Sequence, residues 1–369
     1  MLGSAQPCVA AAQANLSGQG LGYPTGQLSA RALGTAGSIG EIDPMSPLNP
    51  AALGSIGPTT LFFQIEPEYR RVSTGTATDR TTTARYPLFF AAIPAGERWV
   101  FSLSSATLLD RSWSTTRRDT AALPAGTVIS NFNYGSNGSI NDLRLASSYQ
   151  PRPWIRVGVG GHLMSGSDLV FQGHTFDSTE YASFADTSTL SFSGGALSAG
   201  LELIAPKLAV AAVSFRKGTE LRASRGDTAL GHAHVPDRLG LSLAYIGITN
   251  TEIAVRTSYD KWSSLSPLRR DTASALPVDA WDTSIGADVS GPHVGSHVLM
   301  LRVGGRWRTL PYEAAGNRVR ERSLSAGFGT FLAGGRVSTD IAVVRAFRDA
   351  GLTVNERAWT LSIGLAVRP

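Results

Sequence analysis

Trp359-Thr360-Leu361-Ser362-Ile363-Gly364-Leu365-Ala366-Val367 alternates without a break. Large apolar side chains fall on one face and small or polar ones on the other. Period two over nine positions is a strand with one face in an apolar medium. Two other stretches repeat it. Trp281, Thr283, Ile285, Ala287 and Val289 oppose Asp282, Ser284, Gly286 and Asp288. Leu299, Leu301, Val303, Gly305 and Trp307 oppose Met300, Arg302, Gly304, Arg306 and Arg308.

Marking every such segment predicts fourteen strands, over 59–71, 80–93, 97–110, 139–150, 153–165, 186–204, 207–217, 237–247, 251–262, 279–290, 296–308, 319–333, 336–347 and 356–368. Most reach the roughly 9–11 residues that a tilted strand needs to cross a bilayer. Connections alternate in length. Those at Pro94–Gly96, Pro151–Arg152, Ala205–Pro206, Gly247–Asn250, Ser290–Gly295 and Gly334–Gly335 are tight. The intervening ones, about 112–138, 166–185, 218–236, 263–278 and 309–318, are mostly long. Short turns on one side and long loops on the other mark an outer-membrane barrel. All seven Trp fall near strand ends (99, 154, 281 and 359 at starts; 113, 262 and 307 at finishes), where an amphipathic ring meets a membrane boundary. The expected fold is therefore an all-β antiparallel transmembrane barrel of about fourteen strands.

Composition agrees. The chain has 369 residues, 42 % hydrophobic and 17 % charged, below the roughly 25 % charge of soluble domains. No apolar run reaches the ~18 residues of a transmembrane helix. The single cysteine, Cys8, excludes a disulfide framework. The net charge of +5 is spread without a basic run beside aromatics, so no nucleic-acid partner is expected.

The first 58 residues differ. Residues 1–14, ending Ala12-Gln13-Ala14, read as the remnant of a signal peptide. Residues 15–58 are rich in Gly, Ala, Ser and Pro and are too few to fold alone. They read as an N-terminal plug inside the lumen of a barrel that occupies 59–369.

Enzyme signatures are wanting. Gly34–Gly40 is glycine-rich but follows no strand and fits no phosphate loop. It reads as a segment packed closely on the wall. His232 and His234 lack a third ligand, so no metal and no cofactor is expected. Parity places Arg302, Arg306 and Arg308 on the lumen side, opposite Asp282 and Asp288, with Arg156 and His162 also inward. A salt-bridge ladder across the wall is one reading. The other makes one of these residues a ligand-binding anchor, since the guanidinium fork grips carboxylate in two places. Gly194-Gly195 marks a bulge or kink.

Ala30-Arg31-Ala32-Leu33-Gly34-Thr35-Ala36-Gly37, then Asp43-Pro44-Met45-Ser46-Pro47-Leu48-Asn49-Pro50-Ala51-Ala52-Leu53, resembles the start of the FadL family, including its TodX-type members. Tyr259–Leu265, Leu310-Pro311-Tyr312 and Ser323–Gly329 resemble later segments of that family. The ending Arg368-Pro369 departs from its usual aromatic end. The resemblance implies a fourteen-stranded outer-membrane barrel with an N-terminal hatch at Asn49, Pro50 and Ala51. It implies passive uptake of hydrophobic small molecules, such as long-chain fatty acids or aromatic hydrocarbons, and no enzyme activity. Outer-membrane lipid and lipopolysaccharide would surround such a barrel. The alternative is a structural, secretion or surface-attachment barrel that docks a protein partner on its external loops.

Overall fold

In a computed structural model, residues 22–369 are described apart from 75–76, 124–125, 178–180, 269–275, 295–296, 315 and 352–353. The signal-remnant reading of 1–14, Cys8 included, lies outside the described residues.

Fourteen strands close into a ring. They are β1 Thr60–Thr74, β2 Ala77–Ala95, β3 Trp99–Asp110, β4 Gly126–Arg152, β5 Ile155–Phe176, β6 Phe184–Ala205 and β7 Ala209–Arg225. They continue as β8 Arg238–Ile248, β9 Thr251–Asp260, β10 Ala280–Val294, β11 His297–Ala314, β12 Asn317–Leu332, β13 Val337–Asp349 and β14 Val354–Val367. Each pairs antiparallel with the next. The last returns to the first, with Ile363 opposite Ile65 and Val367 opposite Leu61. The ring leaves no edge, so every wall strand has partners on both sides. A membrane-spanning backbone requires this.

All fourteen predicted strands are present, but several are longer than read. The stretches 112–138 and 166–185, expected as loops, are largely strand. Trp113–Leu123 forms a hairpin with the first half of β4, and β5 runs on to Phe176. β7 likewise turns at Gly226 and returns as Thr228–His234. These extensions carry the wall beyond the zone of alternating apolar and polar faces. Hydrogen bonding continues there without the alternation that made the lower strands legible. The bulge expected at Gly194-Gly195 occurs as a register shift between Gly194 and Ala196.

Outward positions are exposed and apolar. Leu145, Leu163, Leu197, Val303 and Leu324 each leave more than 60 % of their surface free. Trp99 and Trp154 lie outward at the short-turn end, and Trp281, Trp307 and Trp359 at the other. These five form two belts. Trp262 is a correction. It is 4 % exposed, packed in an apolar cluster with Leu265 inside the mouth, because the chain after β9 turns inward as the short helix Trp262–Leu268. Trp113 stands on the raised hairpin, packed edge-on to Tyr134. Leu145→Arg is expected to destabilise the barrel in lipid vesicles by about 2–4 kcal/mol, the cost of a cation on the lipid face near mid-membrane. On a solvated face it would change stability by no more than ~0.5 kcal/mol. Urea unfolding in vesicles separates the two.

Inward positions carry the polar and small residues. Residues 23–58 pack against them. Helix Ala30–Gly34 touches β11–β14, and the 3-10 helix Pro50–Ser55 touches β3–β6.

Candidate functional site

The N-terminal segment is shaped by caps. Ser29 caps the helix Ala30–Gly34: its hydroxyl accepts from the Ala32 amide at 3.1 Å and donates to Asp43 at 2.6 Å. Asn49 caps the next turn. Its side-chain oxygen accepts from the Ala51 amide at 3.0 Å, and its amide donates to the Glu41 carbonyl at 2.9 Å. Pro50 sits at the first helical position, where its missing N–H costs nothing. Asn49-Pro50-Ala51 is thus a capped helix start that the wall then receives. Ser148 donates to the Ala51 carbonyl at 3.0 Å, Ser242 to that of Ser38 at 3.2 Å, and Ser325 to that of Gly34 at 3.0 Å.

Wall glycines set the distance of approach. A Cβ on Gly158 would overlap the Pro50 carbonyl carbon, and on Gly286 or Gly304 the Thr35 carbonyl. On Gly200 it would strike the Asn49 side chain, and on Gly327 it would lie 2.9 Å from the Gly34 Cα. Four strands thus let backbone meet backbone at these points, and a fifth, at Gly200, admits the capping side chain of Asn49.

Two charged layers bind the segment to the wall. At its start, the Tyr23 hydroxyl donates to Glu321 at 3.0 Å and accepts from Arg348 at 2.8 Å and from Arg308. Its ring faces the guanidiniums of Arg348, Arg308, Arg85 and Arg70 at 4.5–5.8 Å. Arg348 also pairs with Glu68 at 3.1 Å, with Glu321 at 2.5 Å and with Glu356. Lower down, the buried Glu41 accepts from Ser214 at 2.6 Å, Arg238 at 2.5 Å and Arg256 at 3.2 Å. Burial alone would raise the Glu41 carboxyl, but Arg238 and Arg256 beside it hold it below the ordinary carboxylate range.

The residues predicted as anchors all face inward, as parity required, and each has a partner. Arg302 meets Asp288 at 3.0 Å and Asp340 at 2.6 Å. Arg306 takes both oxygens of Asp282, at 2.7 and 2.6 Å. Arg308 turns to Glu321 at 2.7 Å and to Tyr23. Arg156 meets Glu202 at 3.2 Å. His162 holds Asp142 through Nδ1 (2.8 Å) and meets Ser198 Oγ through Nε2 (2.8 Å). That order of groups is a nucleophile relay on paper, but Ser198 is buried against Gly160. These pairings agree with the salt-bridge ladder.

A cavity of about 570 Å³ lies at the short-turn end, between the N-terminal segment and the strand ends. It brings Arg31, Arg156 and Arg302 together with Met45, Phe62 and Phe331. Arg31 reaches Glu252 at 3.3 Å and Asp288 at 3.2 Å, and its side chain stays 36 % exposed. Arg306, Arg308 and His162 are not part of this cavity. A wall that sets Met, Ile and Phe side chains beside four arginines and four carboxylates suits an amphipathic small molecule. The sequence reading missed the Tyr23 layer, although Glu66, Glu68 and Arg70 stand at alternate positions of β1 and could have signalled it.

No protein-family profile and no curated protein sequence matches this chain. Solved structures do. A FadL homologue from Pseudomonas aeruginosa is 12 % identical, with a TM-score of 0.67 over 94 % of this chain and 99 % of that one. The P. putida toluene transporter TodX is 14 % identical, with a TM-score of 0.61 over 93 % and 99 %. The monoaromatic hydrocarbon channel CymD is 14 % identical, with a TM-score of 0.58 over 93 % and 97 %. Strand number, ring closure and nearly full coverage agree, and the chain has the fold of the FadL/TodX-type outer-membrane transport proteins.

Proposed function

We propose that this chain is an outer-membrane channel for passive uptake of hydrophobic small molecules, with residues 15–58 as its hatch. The observation that carries the reading is the seat. A capped segment of small residues meets wall glycines backbone to backbone. Beside it an amphipathic cavity opens toward the short-turn end. Movement of the segment would connect an apolar cluster at the mouth, containing Trp262, Phe192 and Leu265, with that cavity. Neighbours of the same fold, described as a toluene transporter and a monoaromatic hydrocarbon channel, support the ligand class. The test is uptake of radiolabelled toluene and dodecanoate by cells with and without the chain. Deletion is expected to slow uptake of at least one, and re-expression to restore it. Unchanged uptake of both, with no ligand bound by the purified barrel, would overturn the proposal.

One observation favours a second reading, a docking barrel. The raised wall of β4–β6 carries an aromatic ladder: Tyr134, Phe132, His174 and Phe184 follow one another at centroid spacings of 6.2, 4.6 and 5.0 Å. Retention of a stoichiometric protein partner through detergent extraction, lost on trimming this wall, would decide for it.

A further inference from the structure

One sector of the outer wall carries positive charge where lipid-facing positions are otherwise apolar. Cross-strand register sets Trp307, Arg322, Phe347, Arg357, Arg71 and Arg80 opposite one another in turn, from β11 through β14 to β1 and β2. All six are exposed. In the adjoining row Arg345 faces Trp359, and its guanidinium lies over the rings of Trp359 at 4.6 Å and Phe347 at 5.2 Å. Arg357, Arg71 and Arg80 stand directly opposite on three neighbouring strands. Like charges so placed destabilise a sheet.

The fold supplies little to offset this. Inward, Arg70 and Arg348 are met by Glu68 and Glu321, each at 2.5 Å. Outward, among the described residues, no carboxylate pairs with Arg71, Arg322, Arg345 or Arg357. Asp349 stands one row further out, opposite Arg320. The other side of the barrel shows that such charge is no requirement of the wall. There the outward register runs through Phe215, Leu239, Tyr259 and Trp281 and carries none.

Position identifies the partner. The row lies level with Trp307 and one residue pair outside Trp359 and Tyr69. It therefore marks the membrane boundary at the long-loop, external side. Toward mid-membrane the outward residues are Leu324, Val343 and Leu361. An anion at this height with acyl chains beneath it is a lipid of the external leaflet. Arg322 and Arg71 are three strand spacings apart, about 14 Å along the wall. One phosphate does not reach both, whereas a headgroup with two phosphates does. Guanidinium forks take phosphate in two places.

We infer that the outward arginines of β12, β13, β14 and β1 form a binding site for a multiply phosphorylated glycolipid of the external leaflet, the lipid A portion of lipopolysaccharide. Its phosphates pair with Arg322, Arg357 and Arg71, and its acyl chains lie along Leu324, Val343 and Leu361. The site is separate from the lumen and independent of the uptake reading.

The test is native mass spectrometry of the full chain released from detergent micelles. It is titrated with diphosphoryl lipid A, with the same lipid A stripped of both phosphates, and with phosphatidylglycerol. Diphosphoryl lipid A is expected to bind at least about tenfold more tightly than either of the others. Arg71→Gln combined with Arg322→Gln should weaken it on the order of thirtyfold, the loss of two cations at an anionic surface. Binding of the stripped lipid should not change. Arg71→Lys with Arg322→Lys should keep part of the affinity, and this pair serves if the glutamine pair fails to fold by gel heat-modifiability. Lys217→Gln with Arg222→Gln removes two exposed cations from β7 on the far wall and should bind as the parent does. Equal binding of phosphorylated and stripped lipid A would overturn the inference, as would an affinity unmoved in both Arg71/Arg322 pairs. Phosphatidylglycerol bound as tightly would mark a general anionic surface and overturn it too. So would displacement of lipid A by equimolar inorganic phosphate, which marks a free-anion site.

Discussion

Gly158→Leu is expected to give a barrel that inserts, migrates as a folded species and leaks. The wall at this point is satisfied by its own strand pairing, Ser148 opposite Gly158 and Gly158 opposite Gly200. A side chain on Gly158 therefore leaves the ring intact. What it meets is the backbone of Pro50 and Ala51. Backbone cannot rotate out of the way as a side-chain tip can, so the segment must lift. Overpacking of this kind costs about 1–3 kcal/mol. That shifts the balance between seated and lifted states roughly 5- to 150-fold. In planar bilayers the variant should show open-channel steps where the parent is closed. Gly161→Leu is the control, because a Cβ there meets nothing within 4 Å. A Gly158→Leu barrel that stays as tight as the parent would mean that residues 15–58 do not gate the lumen.

Arg348→Met is expected to cost about 3–5 kcal/mol, the range for removing one member of a buried charged group and stranding its partners. Arg348 is shared by Glu68, Glu321, Glu356 and the Tyr23 hydroxyl. Without it, three buried carboxylates lose the cation they share, while Arg308 still faces Glu321 and Arg70 and Arg85 still face Glu68. The readout is the urea midpoint of the barrel in vesicles, followed by tryptophan fluorescence. Arg357→Met on the outward face of β14 is the comparison, within about ±0.5 kcal/mol of the parent. A loss below ~1 kcal/mol for Arg348→Met would show that the Tyr23 layer is not what holds the upper barrel together.

The fold was legible where lipid imposed a pattern. Strands such as β14 and β10 read cleanly because one face must be apolar and the other must not. The upper halves of β4 and β5 read as loop, since above the bilayer both faces are free to be polar. Inward parity also placed Arg302, Arg306, Arg308, Arg156 and His162 correctly. It could not say which carboxylate each would meet, because those pairs join strands through register. Arg308 and Glu321, 13 residues apart in sequence, stand directly opposite each other through cross-strand register. The inward Arg144 of β4, whose guanidinium nitrogens have no hydrogen-bond partner among the described residues, was also missed. Its distinction is the lack of a partner, which no local pattern records. The seating glycines were read as strand residues without a task, since what they admit comes from a hundred residues and more upstream.

Those seats have a consequence for biogenesis. The segment at 23–58 precedes every strand in the chain, yet its sockets are supplied by β5, β6, β10, β11 and β12. While the early strands are being paired, Thr35 and Asn49 have nothing to rest on. A portion made before every wall strand is thus the portion that matures last. Throughout assembly it must be kept from aggregating and from proteases by something other than its own fold. Pulse-labelled cells treated briefly with protease should cut nascent barrels within residues 23–58 and spare the same peptide bonds once β12 has joined the wall.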